Sequence, residues 1–417
     1  LRPPTLRQRL NTYTVVEASS QHNVVLWAYT TDQHVISPAN HFTGKIHTNR
    51  YRSHAARYET ASGALTAGMA TMSQDCCGWC YATQADLGAK MLRCGKCKKR
   101  AYCSKSCQLN DWKSSGHKHW CGLSGELGFD VAIRPTGTEG KGMGLFALRK
   151  FARGEKLMVE RCAGTKGDPL LAQQMPEGMQ RAAAALMPCD DERLASKFAL
   201  NSFEMDDGSE GLFIHMASAN HNCIPNAVHH SIASQNGIKL LIAGRDIEEG
   251  EEICHSYVSL EGHGQLAQRG QTSAAFLSEV WGFTCTCQAC TDPAYRAKLD
   301  QMRDLDMAIV AATASDVRAP GGASKFDDAL RLGGELLSLY DSLRYPPNHY
   351  ARTYHHLFLL GVTRSATLAQ ARRHIELARQ SHVLLVGSAT SDDEKRRLEG
   401  LTSSPETHQA YLAGDAT

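Results

Sequence analysis

Two polar stretches decide the fold of this chain: Asn220-His-Asn-Cys-Ile-Pro-Asn226 and Gly250-Glu-Glu-Ile-Cys-His-Ser-Tyr257. The first is dense in short polar side chains and, taken alone, is compatible with any polar turn. The second is an acidic turn that leads into a strand ending on a tyrosine, a position that usually belongs to a core or an interface. Neither stretch alone predicts a fold, so each must be interpreted together with the segments around it.

A third segment, Lys141-Gly-Met-Gly-Leu-Phe-Ala147, precedes them in the chain. Its two glycines let backbone groups approach a ligand closely, although a turn between strands is the favoured interpretation when the segment is taken alone. Short apolar runs separated by glycine and charged residues predict strands around all three segments. These runs are Val131–Ile133, Gly144–Ala147, Leu157–Val159, Lys239–Ile242 and the residues that follow Glu248–Glu252. Residues 169–203 predict helices.

Ten of the 15 cysteines of the 417-residue chain are clustered with the spacing of metal ligands. Four closely spaced pairs come first: Cys77 with Cys80, Cys94 with Cys97, Cys103 with Cys107, and His117 with Cys121. Two ligands separated by two or three residues can face one ion from a single turn, so these eight residues fit two closed tetrahedral zinc sites. We expect structural zinc on which folding depends. His119 competes with His117, which has the better spacing to Cys121, and Cys76 is interpreted as a spare thiol.

A second cluster, Cys285-Thr-Cys287-Gln-Ala-Cys290, supplies three more thiolates. A tetrahedral zinc site needs four ligands, so the fourth must come from a distant part of the chain. The sequence therefore predicts about three zinc ions in total.

The composition is that of a globular protein, with 42% hydrophobic residues, 21% charged residues and a net charge of +2. Basic residues are nevertheless concentrated between positions 90 and 118. They are Lys90, Arg93, Lys96, Lys98, Lys99, Arg100, Lys105, Lys113 and Lys118, opposed only by Asp111. A solvated face around a metal site is the favoured interpretation, and a surface for nucleic acid or an acidic partner is the alternative.

No stretch is apolar enough to span a membrane, and no secretory signal pattern opens the chain. Clustered cysteines outside disulfides indicate a reducing compartment, so we expect an intracellular protein of the nucleus or the cytoplasm. Residues 1–71 are polar and lack periodicity, which predicts a disordered or leader extension over residues 1–68, with Met69 or Met72 as a natural start. Residues 294–417 predict a helical domain, in which tetratricopeptide-like helix pairs are plausible.

Residues 77–121 resemble a MYND zinc finger. Cys103 follows Ala101-Tyr102, and Cys107-Gln108 leads to Asp111-Trp112 and then to the histidine–cysteine pair. The resemblance implies that the ligand pairs interleave. One ion would be held by Cys77, Cys80, Cys103 and Cys107, and the other by Cys94, Cys97, His117 and Cys121. It also implies proline-containing peptide partners and, in some members, help in contacting DNA.

The three polar segments, in this order and followed by the second cysteine cluster, resemble a SET domain. Asn201-Ser-Phe203 and Gly282-Phe-Thr-Cys-Thr-Cys287 are similar to the subfamily that also carries MYND fingers. The resemblance implies an α+β fold of small curved sheets with a pseudoknot over residues 127–260, with a helical insert at about 169–203 and a post-SET zinc segment at 261–293. It also implies Cys223 as the fourth ligand of the second cluster, with Cys254 or a histidine as the alternative.

The same resemblance implies a lysine methyltransferase that uses S-adenosylmethionine and acts on a protein substrate. Tyr257 would be the catalytic residue. The cofactor would contact Gly142, Met143, Gly144, Asn201, Asn220, His221, Tyr257 and Phe283, with the phenylalanine ring stacked on the adenine. Two alternatives belong to other classes. A non-catalytic adaptor would recruit partners through the finger, and a DNA-binding zinc protein would need the helix spacing of groove-reading fingers, which is absent here. We expect a monomer that does not bind membranes.

Overall fold

The computed structural model describes residues 76–412 except 115–116, 122–129, 139–140, 166–174, 187–193, 206–207, 232–236, 315–321 and 388–391. Of residues 261–270 it describes only Gly262, Gly264 and Leu266. The predicted extension at residues 1–71 lies outside these ranges. Among the helices within them, none is long and apolar enough to cross a membrane.

The N-terminal part is a small unit of short elements. It contains α1 (Gln84–Leu87), the hairpin of β1 (Leu92–Arg93) and β2 (Ala101–Tyr102), α2 (Lys105–Ser114) and α3 (His117–Trp120). Helix α1 begins at Thr83, which forms a capping box with Asp86. The core of this unit consists largely of its cysteines together with Met91, Ala101 and Tyr102. A core this small needs another source of stability, which metal ions can provide.

The apolar runs at residues 131–133, 144–147, 157–159 and 239–242 and the residues around 253 lie in strands, as predicted. Five further strands were not predicted, and one of them, at residues 202–204, begins inside the segment predicted to be helical. Within the described part of residues 131–255 the strands form three small sheets. The strands are β3 (Val131–Pro135), β4 (Met143–Ala147), β5 (Lys156–Arg161), β6 (Gly164–Thr165), β7 (Ser202–Glu204), β8 (Glu210–Leu212), β9 (Asn220–His221), β10 (Ala227–Ser231), β11 (Ile238–Ala243) and β12 (Glu252–His255). The sheet orders are β3-β4-β12-β9, β10-β11-β5 and β6-β8-β7. Helices α4 (Glu177–Ala184) and α5 (Leu194–Asn201) lie in the predicted helical insert. The predicted α+β class is confirmed.

One hydrophobic core joins strands of all these sheets. Leu145, Phe151, Phe213, Leu241 and Ile253 are each at most 1% exposed and belong to it. Alternation along β3 and β4 places one face of each strand in this core. The two polar stretches are therefore held at the edge of a rigid apolar unit, where their side chains meet.

Within the described residues, the secondary-structure elements of the C-terminal part are all helices, joined by short turns. It comprises α6 (Ser273–Trp281), α7 (Gln288–Thr291), α8 (Pro293–Thr313), α9 (Gly322–Leu343), α10 (Pro347–Gly361), α11 (Leu368–Val386) and α12 (Asp392–Ser403). Helix α8 begins at Asp292, whose side chain accepts from the amide of Ala294, with Pro293 in the first turn. The tetratricopeptide-like pairing stays a prediction.

The N-terminal unit packs directly on the sheets and on α4. A side-chain carbon at Gly178 would lie 2.7 Å from the Cys80 carbonyl oxygen, so only glycine permits this approach of α4. The Arg161 guanidinium lies 4.3 Å from the centre of a Trp79 ring. Asp86 pairs with Arg181 at 2.8 Å. These contacts fix the orientation of the finger-like unit relative to the sheets.

Candidate active site and zinc clusters

Three groups of four side chains bring their ligand atoms within 4.8 Å of one another. They are Cys77, Cys80, Cys103 and Cys107; Cys94, Cys97, His117 and Cys121; and Cys223, Cys285, Cys287 and Cys290. These are the sets that the family resemblance implied, including the interleaving of the first two and Cys223 in the third. Cys254, the alternative fourth ligand, belongs to none of these three groups.

The distances within the groups fit zinc. A tetrahedral ion with bonds of about 2.3 Å to sulfur places its ligands about 3.8 Å apart. The sulfur atoms of Cys80 and Cys103 are 3.6 Å apart, and those of Cys94 and Cys121 are also 3.6 Å apart. The sulfur atoms of Cys223 and Cys290 are 3.7 Å apart. Each of the three clusters therefore fits one zinc ion.

A buried hydrogen-bond chain fixes the His117 ring in the second cluster. Its Nε2 atom lies 3.6 Å from the Cys97 sulfur, and its Nδ1 atom lies 2.7 Å from the Tyr102 hydroxyl. That hydroxyl donates to Asp111 at 2.7 Å, and Arg100 binds the same carboxylate at 2.6 and 2.7 Å. Burial lowers the pKa of His117 to about 4, so the ring is neutral at pH 7 and free to bind metal through Nε2. Such outer partners orient metal-binding histidines.

The third cluster lies beside the polar stretch at residues 220–226. His221 Nε2 lies 3.2 Å from the Cys223 sulfur, and His221 Nδ1 accepts from the backbone amide of Tyr257 at 3.0 Å. Because Nδ1 accepts, the ring proton is on Nε2 and points at the sulfur. Burial lowers the pKa of His221 to about 4, which keeps this tautomer neutral. The imidazole therefore links the third cluster directly to Tyr257.

The two polar stretches are paired side by side as β9 and β12. These strands are parallel, with Asn220 opposite Cys254 and His221 opposite His255. Asn226, only 4% exposed, accepts from the Cys254 amide at 2.8 Å and donates to the Glu252 carbonyl at 2.8 Å. Through these bonds Asn226 joins the first polar stretch to the backbone of β12. A threaded pseudoknot at this point stays a prediction.

Four aromatic rings surround Tyr257. Ring centres lie 5.3 Å away for His221, 5.0 Å for His255, 5.2 Å for Trp281 and 6.2 Å for Phe283. The two histidines are buried at 5% and 6% exposure, whereas Tyr257, Trp281 and Phe283 are partly exposed. We call Tyr257 and these four rings the aromatic wall; its solvent-accessible side is formed by Tyr257, Trp281 and Phe283.

Local sequence explains how Trp281 and Phe283 reach this wall. Helix α6 begins at Thr272, whose side chain accepts from the Ala275 amide, and it ends at Gly282 with φ of +74°. Glycine favours this left-handed conformation, and it turns the chain between the two aromatic residues. The Trp281 indole then donates to the Leu200 carbonyl at 3.1 Å. This bond brings the end of α5, and so Asn201, to the edge of the wall.

The Tyr257 hydroxyl donates to the Ala219 carbonyl at 3.2 Å. Burial raises the pKa of Tyr257, and the charges of Cys254 and Glu252 raise it further. The hydroxyl therefore stays protonated at neutral pH. It can donate or accept a hydrogen bond, but it cannot act as a tyrosinate base.

The glycine segment contacts Asn220 instead of standing apart as a simple turn. Asn220 donates to the Met143 carbonyl at 2.9 Å and to Glu252 at 2.7 Å. A side-chain carbon at Gly144 would lie 2.8 Å from that carboxylate, and Gly142 has φ of +64°. The Asn220 side chain is therefore bonded within the protein, as both nitrogens of His221 are. Any cofactor contact from these two residues would come chiefly from their backbone.

Several residues of the site were not singled out from the sequence. Trp281, His255 and Glu252 contact Tyr257 or Asn220, as described above. The sequence pattern did not indicate them because Trp281 and Glu252 are tens of residues away from their partners, and His255 lies in an ordinary strand. Trp281 lies two residues before Phe283, which the sequence analysis had named, and this spacing just before a cysteine cluster could have indicated Trp281 as well.

Comparison with known families identifies two domains within this geometry. The family model of the MYND finger matches residues 77–121, and that of the SET domain matches residues 142–258. The predicted order, with the finger first, is confirmed. The matched segments contain the first two zinc clusters and both polar stretches.

Curated relatives extend the comparison. N-lysine methyltransferase SMYD2 of Gallus gallus is 26% identical over 52% of this chain and 50% of its own length. Protein-lysine N-trimethyltransferase SMYD5 of Danio rerio is 28% identical over 43% of this chain and 36% of its own length. The chain thus spans about half or less of the length of these relatives.

Among solved structures, the SET domain of LSMT bound to lysine and AdoHcy aligns with 72% of this chain and 90% of that chain at 11% identity. Its TM-score of 0.24 is too low to compare the two architectures. The family models and the curated relatives agree with the zinc clusters and the paired polar stretches. Residues 77–121 therefore form a MYND finger and residues 142–258 a SET domain, and part of the chain is similar in sequence to the lysine methyltransferases SMYD2 and SMYD5.

Proposed function

We propose that this protein transfers a methyl group from S-adenosylmethionine to the ε-amine of a lysine in a protein substrate. The observation that carries the proposal is the protonated Tyr257 hydroxyl, set in an accessible aromatic wall beside the paired polar stretches. The names of the relatives, an N-lysine methyltransferase and a protein-lysine N-trimethyltransferase, give the same reaction class.

The donor supplies an electrophilic methyl group on a sulfonium. The lysine amine is protonated in water, with a pKa near 10.4, and must lose its proton to solvent before it can attack the methyl carbon. The C–S bond of the donor then breaks as the C–N bond forms, and S-adenosylhomocysteine leaves as a neutral thioether. Enclosure by the rings of Trp281, Phe283 and Tyr257 would favour the neutral amine, because desolvation lowers a lysine pKa. These rings also suit the stem of a lysine side chain, which is apolar.

Tyr257 acts in this scheme by orientation. Its hydroxyl, held at 3.2 Å from the Ala219 carbonyl, would direct the amine lone pair along the line of transfer. Most of the rate would come from this alignment, since a well-oriented pair reacts far faster than one in solution. No base is required from Tyr257, which agrees with its raised pKa.

We further propose that the donor lies against the backbone of Gly142–Gly144 and Asn220–His221, with Asn201 and Phe283 at its edge. The partly exposed Phe283 ring, 6.1 Å from His221, could stack on the adenine. The third zinc ion would hold the post-SET segment, and with it Phe283, against the site through Cys223. The first two ions would hold the finger. Catalysis itself would take place without direct involvement of zinc.

The finger is proposed to recruit a proline-containing protein partner. Its surface carries exposed Leu87, Leu92 and Leu109, which are 40%, 45% and 51% exposed. Lys90, Lys96, Lys98 and Lys99 of the same unit are exposed, and Asp111, the acid that opposes the basic residues in sequence, is buried against Arg100. Nucleic acid is the lesser alternative for this surface.

The remaining parts of the proposal concern organisation. The division into a finger at 77–121, a SET domain at 127–260, a post-SET segment at 261–293 and a helical domain at 294–417 is supported by the order of the elements. The clusters of free thiols support an intracellular location, in the nucleus or the cytoplasm. A monomer is the expected state.

Calorimetry with zinc-loaded protein and S-adenosylmethionine, followed by incubation of labelled donor with cell lysate, tests the proposal. We expect binding of the donor and labelled lysine in one or more proteins. Failure to bind the donor would favour the adaptor alternative, in which the finger recruits partners and the SET domain is inactive.

A further inference from the structure

A buried carboxylate connects the finger to the centre of the site. Glu160 lies on β5 at 3% exposure, among apolar neighbours of the strand. It accepts from the Tyr81 hydroxyl at 2.9 Å, from the His215 amide at 2.9 Å and from the Met216 amide at 2.8 Å. Burial by itself raises the pKa of Glu160, but the bonds from His215 and Met216 outweigh it and hold the pKa below its usual value.

The two amides that Glu160 binds begin a short arm that ends at the Tyr257 hydroxyl. They open the 3-10 helix Met216–Ser218, and the next residue, Ala219, accepts from that hydroxyl at 3.2 Å. Met216 and Ala219 are fully buried, and the Ala219 amide donates to the Met216 carbonyl at 3.0 Å. A closely packed arm of one helical turn cannot absorb a shift at one end without moving the other.

Tyr81 ties this arm to the first zinc cluster. It follows the cluster residue Cys80 directly, and its amide donates to the Cys77 carbonyl at 3.0 Å. Its φ of +62° is uncommon for a residue with a side chain, so the surrounding shell must hold it in place. Its ring also packs against His215, with centres 4.1 Å apart.

We infer that Tyr81 and Glu160 are positioning residues for Tyr257, so that the MYND finger forms part of the active-site scaffold. The finger fixes Tyr81, Tyr81 and the His215 and Met216 amides fix Glu160, and the arm presents the Ala219 carbonyl that orients the Tyr257 hydroxyl. The inference rests on the proposed function for its kinetic consequence. Its structural part, the dependence of the Tyr257 environment on Tyr81, does not.

The test is Tyr81→Phe in the full-length protein, which keeps the ring on His215 and removes only the hydroxyl. Tyr350→Phe is the matched control, because that hydroxyl also donates to a carboxylate, Asp341, at 2.7 Å in the helical domain. Zinc content, the KM for the donor and kcat are measured for each variant. Protein labelled with 3-fluorotyrosine reports the Tyr257 environment by fluorine NMR, and Tyr257→Phe identifies its resonance.

We expect Tyr81→Phe to keep its zinc and its KM, to shift the Tyr257 resonance and to lower kcat about tenfold, less than the hundredfold cost of a misplacement of about 1 Å. Tyr350→Phe should leave that resonance and kcat unchanged. Glu160→Gln should shift the Tyr257 resonance further, because the glutamine NH2 group would face the Tyr81 hydroxyl or the His215 and Met216 amides, which are themselves hydrogen-bond donors.

An unshifted Tyr257 resonance in Tyr81→Phe would overturn the inference, and so would a shifted resonance with unchanged kcat in an active protein. A wild-type protein that binds no donor and transfers no methyl group would instead refute the proposed function. In that case the resonance shift still decides whether the finger and Tyr257 are coupled.

Discussion

Replacing Cys223 with serine should remove one zinc ion and loosen the site around Tyr257. Cys223 is fully buried and is the one member of its cluster that comes from the polar stretch. Its sulfur also accepts from His221 Nε2 at 3.2 Å, and His221 in turn accepts from the Tyr257 amide at 3.0 Å. Serine at this position therefore removes a metal ligand and replaces the charged sulfur acceptor of a buried imidazole with a neutral hydroxyl on a shorter bond.

The size of the effect follows from these contacts. A hydrogen bond to a charged group contributes about 1.5–3 kcal/mol, so losing it should disfavour the correct His221 position by about 10- to 150-fold. Donor binding that depends on His221 and on the post-SET segment should weaken by a similar factor. The zinc content should fall from three ions per chain to two, because the first two clusters are separate.

Metal analysis by mass spectrometry and calorimetric titration with S-adenosylmethionine measure both quantities. Cys254→Ser is the control, since Cys254 is a buried thiol on β12 at 6% exposure and lies outside the three clusters. It should retain three zinc ions. A Cys223→Ser protein with three zinc ions and unweakened donor binding would refute the reasoning.

Three further predictions test other parts of the structure. Tyr257→Phe should lower kcat by about 100-fold while changing donor affinity by less than about twofold, as turnover assays and calorimetry can show, because the hydroxyl acts mainly in the transition state. Gly144→Ala should destabilise the fold by about 1–3 kcal/mol in thermal melting, since the new carbon would lie 2.8 Å from Glu252. Gly400→Ala, in helix α12 with open space around it, should instead stabilise by about 0.5–1 kcal/mol. Burial lowers the pKa of His349 from 6.5 to about 3. As the pH falls below 6.5, His349 is therefore protonated in the unfolded chain but not in the folded protein, and the free energy of unfolding decreases. At pH 4.5 the contribution of His349 to this loss should be roughly 3 kcal/mol, and the urea midpoint of His349→Gln should fall less steeply with falling pH than that of the wild type.

The zinc ligands could be predicted from the sequence to a large extent because metal coordination constrains local spacing. Pairs such as Cys94 with Cys97 can bind one ion only when two or three residues separate them, and that constraint is visible in the chain. The interleaving of the pairs and the place of Cys223 came from family resemblance, because spacing does not determine which pairs meet in space. The structure brings the same sets together.

Five of the strands and the helical C-terminal part also followed from periodicity, since alternation and helical spacing are local properties. What periodicity could not indicate is which polar groups meet across the fold. Asn226 with the Cys254 amide, Trp281 with the Leu200 carbonyl and Tyr81 with Glu160 are separated by 28, 81 and 79 residues. No local pattern carries information about such pairs.

Tyr257 shows where sequence and tertiary structure divide. The sequence by itself determined that a tyrosine ends the acidic stretch, that asparagine-rich and cysteine-rich segments flank it in a fixed order, and that three zinc sites are available. The tertiary structure decided its surroundings: the four rings, the His221 link to Cys223 and the Ala219 carbonyl supported by Glu160. Those surroundings keep its hydroxyl protonated and oriented, because burial and hydrogen-bond geometry arise only when distant segments pack together.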